Sequence, residues 1–193
     1  DDEMDALLLM QRAVSAIESV TFRDELTVTQ IESPRGVAPH SYALAADVLL
    51  AEGERESQHG TGRFILLYDE AEPESWGGPF RVVAFAQAPL ESDIGLDPFL
   101  ANVTWSWLTD ALDIRDAQYT HASGTATRIL STGFGELADA GEGAQIELRA
   151  SWSPVNGDIT GQVEAWGELL CMLAGLPPQG DAVSLTARRR ERG

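Results

Sequence analysis

Lysine is absent from this chain. Its 13 basic residues are all arginine, set against 31 acidic ones. That removes Schiff-base chemistry, pyridoxal attachment and the P-loop lysine together. Cysteine is almost absent. Cys171 stands alone, so no intramolecular disulfide and no Cys-Cys metal site can form. Nothing argues for an oxidising compartment. Long hydrophobic runs are also missing. The longest, such as residues 64–68, are far too short to span a membrane. The opening Asp1-Asp2-Glu3 has the wrong charge for a secretory leader. The expectation is a cytoplasmic protein with no membrane association.

What is present reads as a globular chain. Of the 193 residues, 44% are apolar and 23% charged. That length suits one domain, expected over residues 1–187, with its own hydrophobic core. Residues 188–193 hold four arginines and one acid, and read as a flexible Arg-rich tail. A net charge of -18 repels phosphate backbones, so direct nucleic-acid binding is disfavoured.

Periodicity supplies the elements. Leu7, Met10, Val14 and Ile17 form a helical stripe with Asp5 as its cap. Residues 26–31 alternate with threonine and read as a strand, and residues 33–39 read as a loop. Tyr42, Leu44, Ala46, Val48 and Leu50 share one strand face. Residues 52–60 are a polar loop; strands follow at 63–68 and 80–88, with a loop at 69–79 between them. Asp97-Pro98 marks a helix start, with Asp97 as the cap, and that helix runs through 103–112. Strands follow at 119–130 and 145–152. A last helix carries Val163, Trp166, Leu170 and Leu173, with Gly175 as its terminal cap and Pro177-Pro178 as the stop.

The order is helix, four strands, helix, two strands, helix. Short links favour hairpins. The expected fold is α+β, a largely antiparallel sheet of about six strands with three helices mainly on one face. A strand pair followed by a Trp-bearing helix occurs twice, at 62–112 and 119–174, which is the pattern of an internal duplication.

Chemistry is sparse. His40, His59 and His121 show no ligand spacing, so no metal site is expected. His121 would share a strand face with Ser123 and Thr125, yet no nucleophile elbow accompanies it. Gly133-Phe134-Gly135-Glu136-Leu137-Ala138 formally matches a dinucleotide fingerprint with Ala last, but the next element reads as another antiparallel strand, so a turn is expected and no cofactor. Asp110, Asp113 and Asp116 read as a solvated helix end. Trp105 and Trp107 point about 160° apart on one helix, so one of them must meet something other than the core beneath it. Trp76 sits in a loop with no local core. Arg63, Arg81, Arg128 and Arg149 fall on strands. Each is expected to pair with a carboxylate, unless several converge as an anion pocket on the wet face.

Several segments together resemble one family. They are Pro34-Arg35-Gly36-Val37-Ala38-Pro39, Gly60-Thr61-Gly62-Arg63-Phe64, Trp76-Gly77-Gly78-Pro79-Phe80-Arg81 and Val103-Thr104-Trp105-Ser106-Trp107-Leu108. Ala122-Ser123-Gly124-Thr125-Ala126-Thr127-Arg128, Ile146-Glu147-Leu148-Arg149-Ala150-Ser151-Trp152 and Ala165-Trp166-Gly167-Glu168-Leu169-Leu170-Cys171 complete them. In order and spacing the chain is similar, over residues 5 to 187, to the actinobacterial family of uncharacterised proteins called domain of unknown function 3000. The resemblance implies a cytoplasmic bacterial protein and supplies no catalytic residues. It also implies genes beside an exonuclease of the ribonuclease D type, an association that carries no mechanism.

Three functions follow as expectations. The first is a non-catalytic domain that binds a protein partner or small ligand through the open sheet face, or a second copy as a homodimer. Its candidate residues are Arg63, Asp69, Trp76, Arg81, Trp105, Trp107, His121, Arg128 and Arg149. The second is a hydrolase or other enzyme on an anionic substrate, built on Asp69, His121 and Arg128. The third is an accessory role in RNA turnover.

Overall fold

A computed structural model describes residues 2–50 and 59–178. The tail at 188–193 and most of the loop expected at 52–60 lie outside the described residues. The elements are α1 (Asp2–Glu18), β1 (Leu26–Ile31), β2 (His40–Val48), β3 (Thr61–Tyr68), β4 (Phe80–Leu90), α2 (Ser92–Gly95), α3 (Leu100–Ile114), β5 (Tyr119–Thr132), β6 (Glu142–Pro154) and α4 (Thr160–Leu173). A short 3-10 turn, Gly135–Ala140, joins β5 to β6. It begins at Gly135, so the glycine-rich segment at 133–135 leads into a turn between antiparallel strands.

All six strands form one antiparallel sheet in the order β1-β2-β3-β4-β6-β5. The α+β architecture matches the expectation. Even-numbered residues of β2, β3, β4 and β6 face the helices. Phe64, Leu66, Val82, Ile146 and Leu148 there are at most 1% exposed. They pack beneath Leu108, Leu112, Val163, Trp166 and Leu170 of α3 and α4 in one hydrophobic cluster. Burial at this density supplies the main stabilising term, at roughly 25 cal/mol per Å² of apolar surface. The odd-numbered residues form the opposite, open face.

Gly62 faces Ala86 across β3 and β4, and Gly124 faces Ala150 across β5 and β6. Phe85 and Arg149 face each other across β4 and β6, between those pairs. Each glycine admits a helix side chain. A Cβ on Gly62 would stand 2.8 Å from Leu170 of α4, and one on Gly124 would stand 2.6 Å from Trp105 of α3. Real side chains do not tolerate such distances, so both positions hold a helix close to the sheet.

Three local expectations are corrected. The buried stripe of α1 is Ala6, Met10, Ala13 and Ile17, whereas Leu7 is 46% exposed. Small alanines let the helix approach the sheet, which turns Leu7 outward. The Asp97 carboxylate accepts a bond from the Phe99 N–H at 2.9 Å, but α3 begins only at Leu100, with Phe99 as its cap. Asp97 therefore closes a turn ahead of the helix rather than capping it. The second strand spans His40 to Val48, so Leu50 lies beyond it. Gly175 ends α4 as expected, with φ of 87° and Leu176 N–H donating back to Cys171 O at 2.9 Å.

Candidate functional site

The open face places three of the four strand arginines together on one side. Arg63, Phe85 and Arg149 form one row across β3, β4 and β6, with Ala45 and Thr125 at its ends. The Arg149 guanidinium lies 4.8 Å from the centre of the Phe85 ring. Arg63 and Arg149 are exposed, and neither makes an ion pair among the described residues. The expectation that each strand arginine pairs with a carboxylate is therefore overturned here. The paired arginines are elsewhere: Arg23 with Glu25, Arg35 with Glu32, and Arg115 with Glu164 and Glu168.

The neighbouring rows differ in character. On one side lie Ile31, Ala43, Ile65 and Val83, an apolar band. On the other lie Asp47, Thr61, Gln87 and Glu147. A groove of about 280 Å³ runs along this side, lined by Thr61, Arg63, Phe85, Gln87 and Glu147. The row thus has an apolar flank and a hydrogen-bonding flank, with two guanidinium forks between them.

Arg81 shares the open face and is engaged within the sheet. Its Nε donates to Ser151 Oγ at 2.8 Å, and its Nη1 donates to Ser153 Oγ at 2.8 Å and to His121 O at 2.9 Å. Desolvation by burial lowers its pKa from the usual arginine value. Ser151 in turn donates to Val82 O at 2.9 Å. Arg81 therefore ties β4, β6 and β5 together. The carbonyl that it holds belongs to a β-bulge: the register of β5 slips between Thr120 and Ser123. His121 sits there with φ of 54°, a left-handed conformation that costs a non-glycine residue free energy.

The bulge corrects the expected His121, Ser123 and Thr125 face. Thr120 pairs with Ser153 and Ser123 pairs with Ser151, so Thr120 and Ser123 share a face and the alternation through His121 is broken. The His121 ring bonds Thr120 Oγ1 at 2.9 Å and lies against Gly77 in the 69–79 loop. Arg128 is on the helix-bearing face, where its Nη1 donates to Asp97 O at 3.0 Å and Gly95 O at 3.4 Å. Asp69 accepts from the Ala71 N–H at 3.0 Å. Asp69, His121 and Arg128 thus serve three separate local structures, and Arg128 is divided from the bulge side by the sheet.

The tryptophans divide by burial. Trp152 and Trp166 are in the core. Trp152 donates to Gln162 Oε1 at 2.7 Å, and Trp166 donates to Phe85 O at 3.1 Å. Trp105 and Trp107, on α3, are both half-buried and both pack against the margin of the core. Trp76 is half-buried in its loop. Asp110, Asp113 and Asp116 lie exposed at the end of α3. Among the described residues no group of three or more His, Cys, Asp or Glu gathers at metal distance.

Sequence reasoning missed Phe85 entirely. Its signal was the register itself, since only strand pairing puts an aromatic ring between two arginines.

The family model for a protein of unknown function, DUF3000, matches residues 9–183. The chain belongs to the DUF3000 family. No curated protein and no solved structure matches it significantly. Among the described residues of this DUF3000 chain, no helix is long and apolar enough to cross a membrane.

Proposed function

We propose that this DUF3000 chain is a non-catalytic binding domain that takes an anionic group on the open sheet face, between Arg63 and Arg149. The observation that carries this reading is that, among the described residues, neither arginine has a carboxylate partner, although the chain is strongly acidic. A guanidinium fork matches a carboxylate or phosphate bidentately. Arg149 is held over Phe85 in advance, which lowers the entropy cost of using it. The apolar band at Ile65 and Val83 would receive a carbon skeleton beside the anion. At the groove the Gln87 amide would donate or accept hydrogen bonds and the Glu147 carboxylate would accept them. The ligand is thus a carboxylate or phosphate with an adjoining apolar part. A lone, buried, unpaired Cys171 supports placing the protein in a reducing cytoplasm.

The test is an amide-resolved NMR titration with inorganic phosphate, with citrate and with a short acidic peptide carrying one Leu. Shifts centred on Arg63, Phe85 and Arg149 are expected, strongest for the peptide. They should vanish in an Arg63→Ala, Arg149→Ala double variant whose unfolding free energy stays within about 0.5 kcal/mol of the parent, as surface substitutions do. Shifts absent for all three probes, or scattered away from this row, overturn the reading.

A further inference from the structure

We infer that β5 is a self-pairing edge, and that two copies of this chain join β5 to β5 in an antiparallel fashion about a twofold axis normal to the sheet. β5 spans Tyr119–Thr132 and, among the described residues, pairs on one side only, with β6. Its other side presents alternating N–H and C=O groups that only another strand satisfies in regular fashion. The register beyond the bulge is unbroken from Ser123 to Thr132. All of those residues except Ala126 are exposed.

Folded proteins shield long edges with proline, charge, bulges or a covering helix. Between Ser123 and Thr132 there is no proline, and the bulge is confined to the start of the strand. The single charge, Arg128, is turned onto the carbonyls of Gly95 and Asp97. The opposite edge of the sheet, β1, is only six residues long.

Charge selects the occupant. Two copies at -18 each repel one another across most of their surfaces. Residues 117–135 are the longest run in the chain without Asp or Glu. The edge is therefore where a second copy can approach with least repulsion, and it offers a basic partner nothing to grip. Apolar surface continues alongside it: Leu130 is 57% exposed, and Leu96 and Phe99 are exposed nearby in sequence to the Arg128 contact. A groove of about 370 Å³ between α3 and β5, lined by Asn102, Trp105, Ser106 and Ala126, opens on the same strand. Antiparallel pairing keeps both open faces on the same side of one continuous sheet. The inference does not depend on the anion reading.

The experiment is sedimentation equilibrium of the full chain up to ~100 µM, a range that populates any dimer with a micromolar dissociation constant. The expected mass is twice 20.8 kDa. Thr127→Glu and Ile129→Glu each place like charges near the twofold and should weaken the dimer at least tenfold, with an unchanged far-ultraviolet dichroism spectrum. Thr29→Glu on β1 should leave it intact. In the unsubstituted protein, alternate amides within 123–132 should exchange more slowly at high than at low concentration. A monomer mass throughout, a dimer indifferent to both β5 substitutions, or exchange at β5 independent of concentration each overturns the inference.

Discussion

His121 lies against Gly77, so close that a Cβ on Gly77 would run into the imidazole Cε1. Both residues have positive φ, 67° for Gly77 and 54° for His121. The loop at 69–79 and the bulge of β5 are thus fitted to each other. Gly77→Ala should destabilise the fold by about 1–3 kcal/mol, from strained backbone plus the clash. Urea unfolding measures it. Adding His121→Ala should recover the clash but leave the backbone share, giving a clear interaction energy in the double-mutant cycle.

Arg81 should matter for stability, not for ligand affinity. Arg81→Ala removes three charge-assisted bonds and strands the hydroxyl of Ser153, which is 2% exposed. A loss of about 2–3 kcal/mol is expected. Arg81→Lys should recover less than half, because an ammonium cannot span acceptors on two strands as a planar fork does. Hydrogen exchange should quicken at residues 119–123 first. A variant as stable as the parent would refute the clamp.

The Trp152 indole and the Gln162 amide complete each other inside the core. Gln162 accepts from Trp152 and donates to Gln118 O at 3.1 Å. Trp152→Phe leaves a buried amide oxygen unpaired and should cost about 1–3 kcal/mol beyond the lost volume. Pairing it with Gln162→Met should restore part of that, since both polar partners are then gone. Thermal unfolding of the four proteins decides it.

Alkaline stability follows from buried acids that stay neutral. Desolvation pushes Cys171 up from 9.0 to about 11. Desolvation also raises Tyr42, Tyr68 and Tyr119 above 10.0. Each group holds its proton more tightly when folded. Its contribution is complete below the ordinary value and is lost as pH rises through the folded one. The unfolding free energy should therefore fall from pH 9 to 11, and fall less in Cys171→Ala. At pH 8 the folded thiol should resist iodoacetamide, with alkylation tracking unfolding.

Much of the fold was legible because strand alternation is a short-range signal. Ile146, Leu148, Ala150 and Trp152 announced both a strand and its buried face. The rotation of α1 was not legible. Leu7 and Ala6 compete for the same stripe, and only the distance to the sheet decides between them. The site was legible in its arginines and illegible in its geometry. Arg63, Arg81 and Arg149 look equivalent as strand residues, yet serine hydroxyls consume one of them and leave the others open. Those hydroxyls lie seventy residues away in the chain, beyond any local pattern. The break at His121 was hidden for the same reason, since a bulge is defined by the partner strand.

The bond from Trp166 to the Phe85 carbonyl has a consequence for nuclear magnetic resonance. The indole sits beneath the sheet while the ring of Phe85 sits above it, so one peptide unit couples the two faces. Fluorine placed on Trp166 would sense, from the dry interior, any pull exerted on Phe85 from outside.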